Sequence, residues 1–163
     1  MTELMEVSET ASTINPVDAV LDATAEAFEI MLSCSVTKLE LQAQTWDTSF
    51  NDITAVIALT GTINGTICLS FPKQTAFEAV NRMVGILPDE IDALVCDAVG
   101  EFANVVGGSA KDKTNDPTMK LGLPNVIHGE DHHIEIPSSA SPVCVEYDSD
   151  IGPFMVLFGF SGA

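Results

Sequence analysis

Two β-branched-rich runs, Ile53 to Thr60 and Thr66 to Phe71, are separated only by Gly61-Thr62-Ile63-Asn64-Gly65, and Pro72 stops the second run. Val, Ile and Thr are stiff at χ1 and suit a pleated strand, and Asn64-Gly65 is a strong hairpin signal. The segment therefore predicts an antiparallel hairpin at the centre of the chain. Hydrophobic residues make up 46% of the 163, in strongly patterned segments, so a packed globule is expected rather than disorder.

The flanking segments supply what covers the hairpin. Asn15 as N-cap and Pro16 at the first helical position open a helix running to about Ser33. Val17, Val20, Leu21, Thr24, Phe28, Met31 and Leu32 recur in it at helical spacing. Lys38 to Gln44 alternates as a half-buried strand does, and Thr45 to Asp52 is a polar turn. Thr75 to Val84 reads as a helix ending at Gly85. Pro88-Asp89-Glu90 reads as the start of a longer helix lasting to Lys111 or Lys113. Its apolar face holds Ile91, Leu94, Val95, Ala98, Phe102, Val105 and Val106. A loop from Asn115 to Gly122, with Pro117, leads to a strand from Leu123 to Ile127. Pro124 places that strand at an edge or a bulge. After a polar insert, Gly129 to Glu135, the strands Val143 to Tyr147 and Phe154 to Phe160 finish the chain.

The order is helix, three strands, two helices, three strands, with short strand-to-strand connections. It predicts an α/β chain in α+β order, with helices packed on a mostly antiparallel or mixed sheet. Residues 1–14 read as a flexible acidic tail and 15–163 as a single domain.

Charge narrows the function. Six Lys and Arg against 24 Asp and Glu give a net charge of −18, which repels nucleic acid and anionic lipid and favours basic or metal-loaded partners. No apolar run approaches the roughly 20 residues of a membrane span. The first fifteen residues carry Glu3, Glu6 and Glu9 and no base, unlike a secretory leader. Cys34, Cys68, Cys96 and Cys144 are dispersed in apolar segments and read as buried free thiols of a cytoplasmic protein.

The long helix carries the chemistry. Asp97, Glu101 and Asn104 stand at i, i+4 and i+7 and so share one face, with Ala98, Phe102 and Val105 opposite. With Glu101 at zero and about 100° per residue, Asp97 falls near −40°, Asn104 near −60° and Gly108 near −20°. Cys96, Gly100, Ala103 and Gly107 fill the adjoining arc, a strip of small residues that would let a partner approach. Gly100, Gly107 and Gly108 together cost the helix roughly 3 kcal/mol relative to alanine, so something other than helicity holds them. The plainer reading of such a triple is an ordinary solvated helix face.

Asp97-x-x-x-Glu101-x-x-Asn104 resembles the signature of the CheC/CheX chemotaxis phosphatases. The likeness extends from Asn15-Pro16 and Ala27-Phe28-Glu29-Ile30-Met31-Leu32 through the hairpin (Asp52-Ile53 to Leu59 and Gly61, then Gly65 to Pro72). It continues over Met83-Val84-Gly85 and Leu123-Pro124-Asn125-Val126-Ile127-His128-Gly129. CheC-type members carry two such helices. Here Asp22, Glu26 and Glu29 repeat the spacing on the first helix, but Glu29 stands where Asn should be. One site per chain is the CheX pattern.

The resemblance implies hydrolysis of the aspartyl phosphate of a CheY-like receiver domain. Asn104 would orient the attacking water and Glu101 would pair with a receiver lysine; these two are the catalytic candidates. Asp97, Gly100, Gly107 and Gly108 would meet the partner. The Mg²⁺ would come with the receiver, the chain having no cofactor or metal of its own, and a homodimer through sheet edges is expected. The alternative is a non-catalytic receiver-binding adaptor or a flagellar-switch-like interaction domain on the same fold.

Other clusters weigh less. His128, Glu130, Asp131, His132 and His133 could ligate Zn²⁺ or Ni²⁺, but read more simply as a solvated hairpin tip. Lys111, Lys113 and Lys120 could frame an acidic receiver surface or complement a helix C-terminus.

Overall fold

The computed structural model describes residues 15–43, 49–134 and 142–161. The expected tail at 1–14, and parts of the polar segments expected at 45–52 and 129–135, lie outside these residues. Helix α1 (Pro16–Leu32) is followed by β1 (Val36–Ala43), β2 (Ile53–Thr60) and β3 (Asn64–Phe71). Then come α2 (Lys73–Val84), α3 (Ala93–Thr114), β4 (Lys120–Leu121), β5 (Asn125–His128), β6 (Val143–Ser149) and β7 (Phe154–Ser161). The strands form one antiparallel sheet in the order β1-β6-β7-β3-β2-β4, with β5 also paired to β2, at Ile53 to Val56 where β4 takes Leu59 and Thr60. The expected helix-on-antiparallel-sheet architecture is present, with β4 as an added short strand.

Alternation along the strands sorts residues onto two faces. Ile53, Ala55, Ile57 and Leu59 of β2, Ile67, Leu69 and Phe71 of β3, and Phe154, Val156 and Phe158 of β7 face the helices. The other face holds a smaller cluster around Phe50, Cys68, Ile134, Cys144, Met155 and Leu157. Three of the four free cysteines are buried, and Cys96 is partly so.

Local signals set the helix ends. Asn15 accepts from the Val17 amide at 2.9 Å, and Ser33 closes α1 in the left-handed region. The single arginine, Arg82 on α2, donates to the carbonyls of Leu32 (3.1 Å) and Ser33 (3.3 Å) at that C-terminus, which leaves orphan carbonyls satisfied. Gly85 caps α2 with φ 74°.

Two boundaries differ from the sequence expectation. Helix α3 starts at Ala93, not near Pro88: Asp92 accepts from the Val95 amide at 3.1 Å and outcompetes the Pro88-Asp89-Glu90 signal upstream. The hairpin turns at Gly61–Ile63, while Asn64-Gly65 already belongs to β3, with Gly65 paired to Leu59. The Asn64 side chain instead accepts from the Gly61 amide at 3.3 Å. Gly65 lies against Phe160, whose ring a Cβ there would strike.

A knot of aromatic rings fixes α3 on the sheet. Phe28 of α1 stacks on Phe154 (centroids 4.3 Å apart) and meets Phe102 of α3 edge-on at 4.8 Å; Phe71 meets Phe102 at 5.9 Å. Such pairs contribute beyond area burial. Because Phe102 must enter this knot, Glu101 and Asn104 are turned away from it.

Candidate functional site

Helix α3 is held against the other two helices and the sheet. It contacts α1, α2 and the strands β2, β3, β4 and β5. Its buried residues (among them Ala98, Val99, Phe102, Ala103, Val106 and Ala110) cover more than half the circumference. The arc left to solvent holds Asp97 and Glu101, both exposed, with Asn104 and Gly108 half-buried. At a rise of about 1.5 Å per residue, Asp97, Glu101 and Asn104 span about 10 Å along the axis. Among the described residues none of these three side chains makes a hydrogen bond or ion pair. A carboxylate and a carboxamide are thus held one turn apart on a rigid element with their bonding capacity directed outward.

The structure divides the glycines. Gly108 stays near the stripe, the nearest atom to an added Cβ being Leu121 Cδ2 at 3.9 Å. Gly100 and Gly107 are buried against the protein's own sheet edge rather than presented to a partner. A Cβ at Gly107 would stand 2.8 Å from Leu121 Cδ1 and 3.2 Å from Ile57 Cδ1; at Gly100 it would stand 3.4 Å from Val126 Cγ2. Their small size lets α3 sit close to β2, β4 and β5. It accounts for the helical cost of Gly107 without any partner, and at Gly100 it corrects the face assigned from the sequence.

The neighbouring chemistry is quiet. Burial, then the carboxylates of Asp97 and Asp92, pushes the Cys96 thiol up, so it supplies no thiolate beside the stripe. Beneath the helices, the cavity lined by Leu32, Phe71, Val80, Val99 and Phe102 is about 10 Å³ and apolar. That is too small for a substrate.

On α1 one member of the matching triple, Glu26, is already engaged. Lys113 donates to Glu26 at 2.7 Å and Ser109 donates to it at 3.1 Å, tying α3 to α1. Of the three lysines near the helix end, Lys113 is therefore an internal brace, while Lys111 is half-buried and Lys120 exposed.

The histidine insert lies on the opposite face of the sheet. His132 is half-buried and stacks on Phe50 with centroids 5.8 Å apart. It bonds Gly129 O through Nδ1 (2.9 Å) and Thr54 Oγ1 through Nε2 (2.8 Å); Thr54 Oγ1 in turn meets Ser70 Oγ at 2.9 Å. With Nδ1 protonated, His132 accepts from Thr54 and latches the loop to the sheet, so this ring is not the tip of a solvated turn. Among the described residues no three His, Cys, Asp or Glu are grouped to hold a metal ion.

The sequence model of the family described as chemotaxis phosphatase CheX matches residues 53–148, a span holding the hairpin, α2, all of α3 and most of β6. The chain belongs to the CheX family. A CheX relative from Thermotoga maritima, named CheY-P phosphatase CheX, is 30% identical over 88 residues, 52% of this chain and 57% of its own length. The chain thus matches little more than half of that relative. The CheC-like superfamily protein from Shewanella sp. PV-4 superposes with TM-score 0.83 at 24% identity, over 91% of this chain and all of that one. CheX in the CheX–CheY–BeF₃–Mg²⁺ complex from Borrelia burgdorferi superposes with TM-score 0.77 at 16% identity, over 91% of this chain and 99% of that one. At these identities the two superpositions establish the fold. No helix among the described residues is long and apolar enough to cross a membrane.

Proposed function

We propose that this chain hydrolyses the aspartyl phosphate of a CheY-like receiver domain. One observation carries the reading: in a member of the CheX family, Glu101 and Asn104 stand side by side on the solvent arc of α3 with no internal partner. The named activity of the Thermotoga relative and the receiver bound in the Borrelia complex support it.

The residue types suit the task. Phosphoryl transfer needs positioning and charge stabilisation more than covalent chemistry. The Asn104 carboxamide can accept a hydrogen bond from the attacking water through its oxygen and donate to a phosphoryl oxygen through its nitrogen, adding no negative charge to an anionic site. Glu101, one turn away, pairs with a receiver lysine and sets the register; desolvated at the interface, such a pair is charge-assisted and orienting. Asp97 and Gly108 border the footprint. Mg²⁺ belongs to the receiver, and no residue of this chain is asked to hold it.

The test is phosphate release from a Mg²⁺-loaded, phosphorylated CheY-type receiver of the same organism, with wild type and Asn104→Ala side by side. Acceleration by wild type and none by the variant is the expected result. Equal acceleration by both would sink the assignment of Asn104. Binding without turnover by wild type would favour the adaptor.

A further inference from the structure

Leu123 is 87% exposed, more than Ile30, Leu39, Val84, Ile86 or Leu87, the other large apolar side chains left in solvent among the described residues. A single exposed leucine is ordinary in itself; its position is not. Leu121 packs at the level of Gly107 and Gly108, while Pro124 (3.9 Å from a Cβ at Gly100) and Val126 pack at the level of Gly100. The segment therefore runs antiparallel to α3. Seven helical residues rise about 10 Å, and three extended residues reach about 10 Å, so the connector from 121 to 124 is nearly taut. Residue 122 then passes near the level of Val105 and residue 123 near that of Phe102 and Ala103, between Glu101 and Asn104 on the axis. The Gly122 amide, donating to the Ala58 carbonyl at 2.8 Å, pins the connector to β2. Gly100 and Gly107 mark the flank of α3 that faces this connector, and Asn104 is the stripe residue nearest that flank: Glu101 is exposed, Asn104 only half-buried.

From this geometry we infer that Leu123 is the apolar anchor that holds the receiver domain over Asn104. The inference rests on the phosphatase reading for its partner. The stripe alone offers polar groups, which orient a partner but give little affinity when exposed to water. Interfaces gain most of their binding energy from a few side chains that become fully desolvated, and removing an exposed leucine from water is favourable. Leu123 has that character, on a taut proline-bounded connector that loses little freedom on docking. The receiver it fits presents an apolar depression beside its phosphorylated aspartate.

The test measures affinity for a BeF₃⁻-activated, Mg²⁺-bound CheY-type receiver, with phosphate release followed in parallel. Leu123→Ser and Leu123→Ala should each weaken binding about tenfold. Leu123→Met should bind as wild type does, and so should Ile30→Ser, which changes a leucine-sized exposed residue on α1. Thermal midpoints should not move, because the Leu123 side chain is in solvent. Unchanged affinity for Leu123→Ser overturns the inference, as does an equal loss for Ile30→Ser. Receiver binding by wild type without phosphate release would overturn the phosphatase reading while leaving the affinity test of Leu123 intact. A receiver that does not bind wild type overturns both.

Discussion

Adding one methyl group at position 107 should destabilise the protein, and adding the same group one residue later should stabilise it. Both glycines are inside α3, so alanine brings the same intrinsic gain at each, about 0.8–1 kcal/mol in helix propensity, part of it through the unfolded chain. At 108 the new Cβ meets only Leu121 Cδ2, at 3.9 Å, an ordinary contact, so Gly108→Ala should keep most of the gain. At 107 it meets Leu121 Cδ1 at 2.8 Å and Ile57 Cδ1 and Cγ2 at 3.2 and 3.3 Å. The leucine tip can rotate aside. Ile57 is fully buried and its β-branched side chain is stiff at χ1, so it has little room to turn aside. Overpacking of this kind costs about 1–3 kcal/mol. Gly107→Ala should therefore be net destabilising by up to about 2 kcal/mol, and should lie about 1–3 kcal/mol below Gly108→Ala. Equilibrium urea unfolding reads this directly, with the slope unchanged between variants. If both variants stabilise equally, within about 0.5 kcal/mol, the account of Gly107 as a close-packing residue is wrong.

Two further outcomes follow from buried and charged groups. The Tyr147 hydroxyl is buried without a hydrogen-bond partner among the described residues, and burial, with Asp22 adding, pushes its pKa up to about 12. Tyr147→Phe keeps the stack on Phe154 (4.8 Å) and removes the desolvated hydroxyl. It should raise stability by up to about 1 kcal/mol, or the thermal midpoint by about 2–4 °C, and a clear loss would show that the hydroxyl has a partner. Glu26 is held below the usual carboxylate range, chiefly by its hydrogen bond from Lys113. Its folded pKa is therefore the lower one, so its stabilisation is present above the unfolded pKa and fades as pH falls through the folded value. Both side chains are partly exposed, so Glu26→Gln should cost less than about 1 kcal/mol at neutral pH. The difference from wild type should vanish in strong acid; a difference that persists there would contradict the pairing.

The architecture was legible because its signals are local and agree with one another. Asn15-Pro16 opens α1, Gly85 closes α2, and the β-branched runs pair as their pattern requires. The errors arose where two local signals compete. Pro88-Asp89-Glu90 looks like a helix start, yet Asp92 makes the capping bond; Asn64-Gly65 looks like the turn, yet the strand needs Gly65 beneath Phe160. The stripe of Asp97, Glu101 and Asn104 was legible from spacing alone.

What surrounds the stripe was not legible. Judged by large side chains, the apolar face of α3 centres near Phe102, but Gly100, Ala103 and Gly107 are buried too. Small residues count little as hydrophobes and much as places of close approach, and only the neighbouring strands reveal which they are. The same holds for Leu123, an ordinary residue in sequence until Leu121 and Pro124 fix its level between Glu101 and Asn104, and for His132, whose partner Thr54 is 78 residues away.

The measurement that tests the central claim most directly is the rate of phosphoryl loss from the receiver within a saturated complex, compared between wild type and Asn104→Ala. Saturation removes differences in docking and leaves the chemistry. The account predicts that the variant binds the activated receiver about as wild type does, yet loses the acceleration, with the rate falling to that of the free receiver. An Asn104→Ala complex that sheds its phosphoryl group as fast as wild type would contradict it.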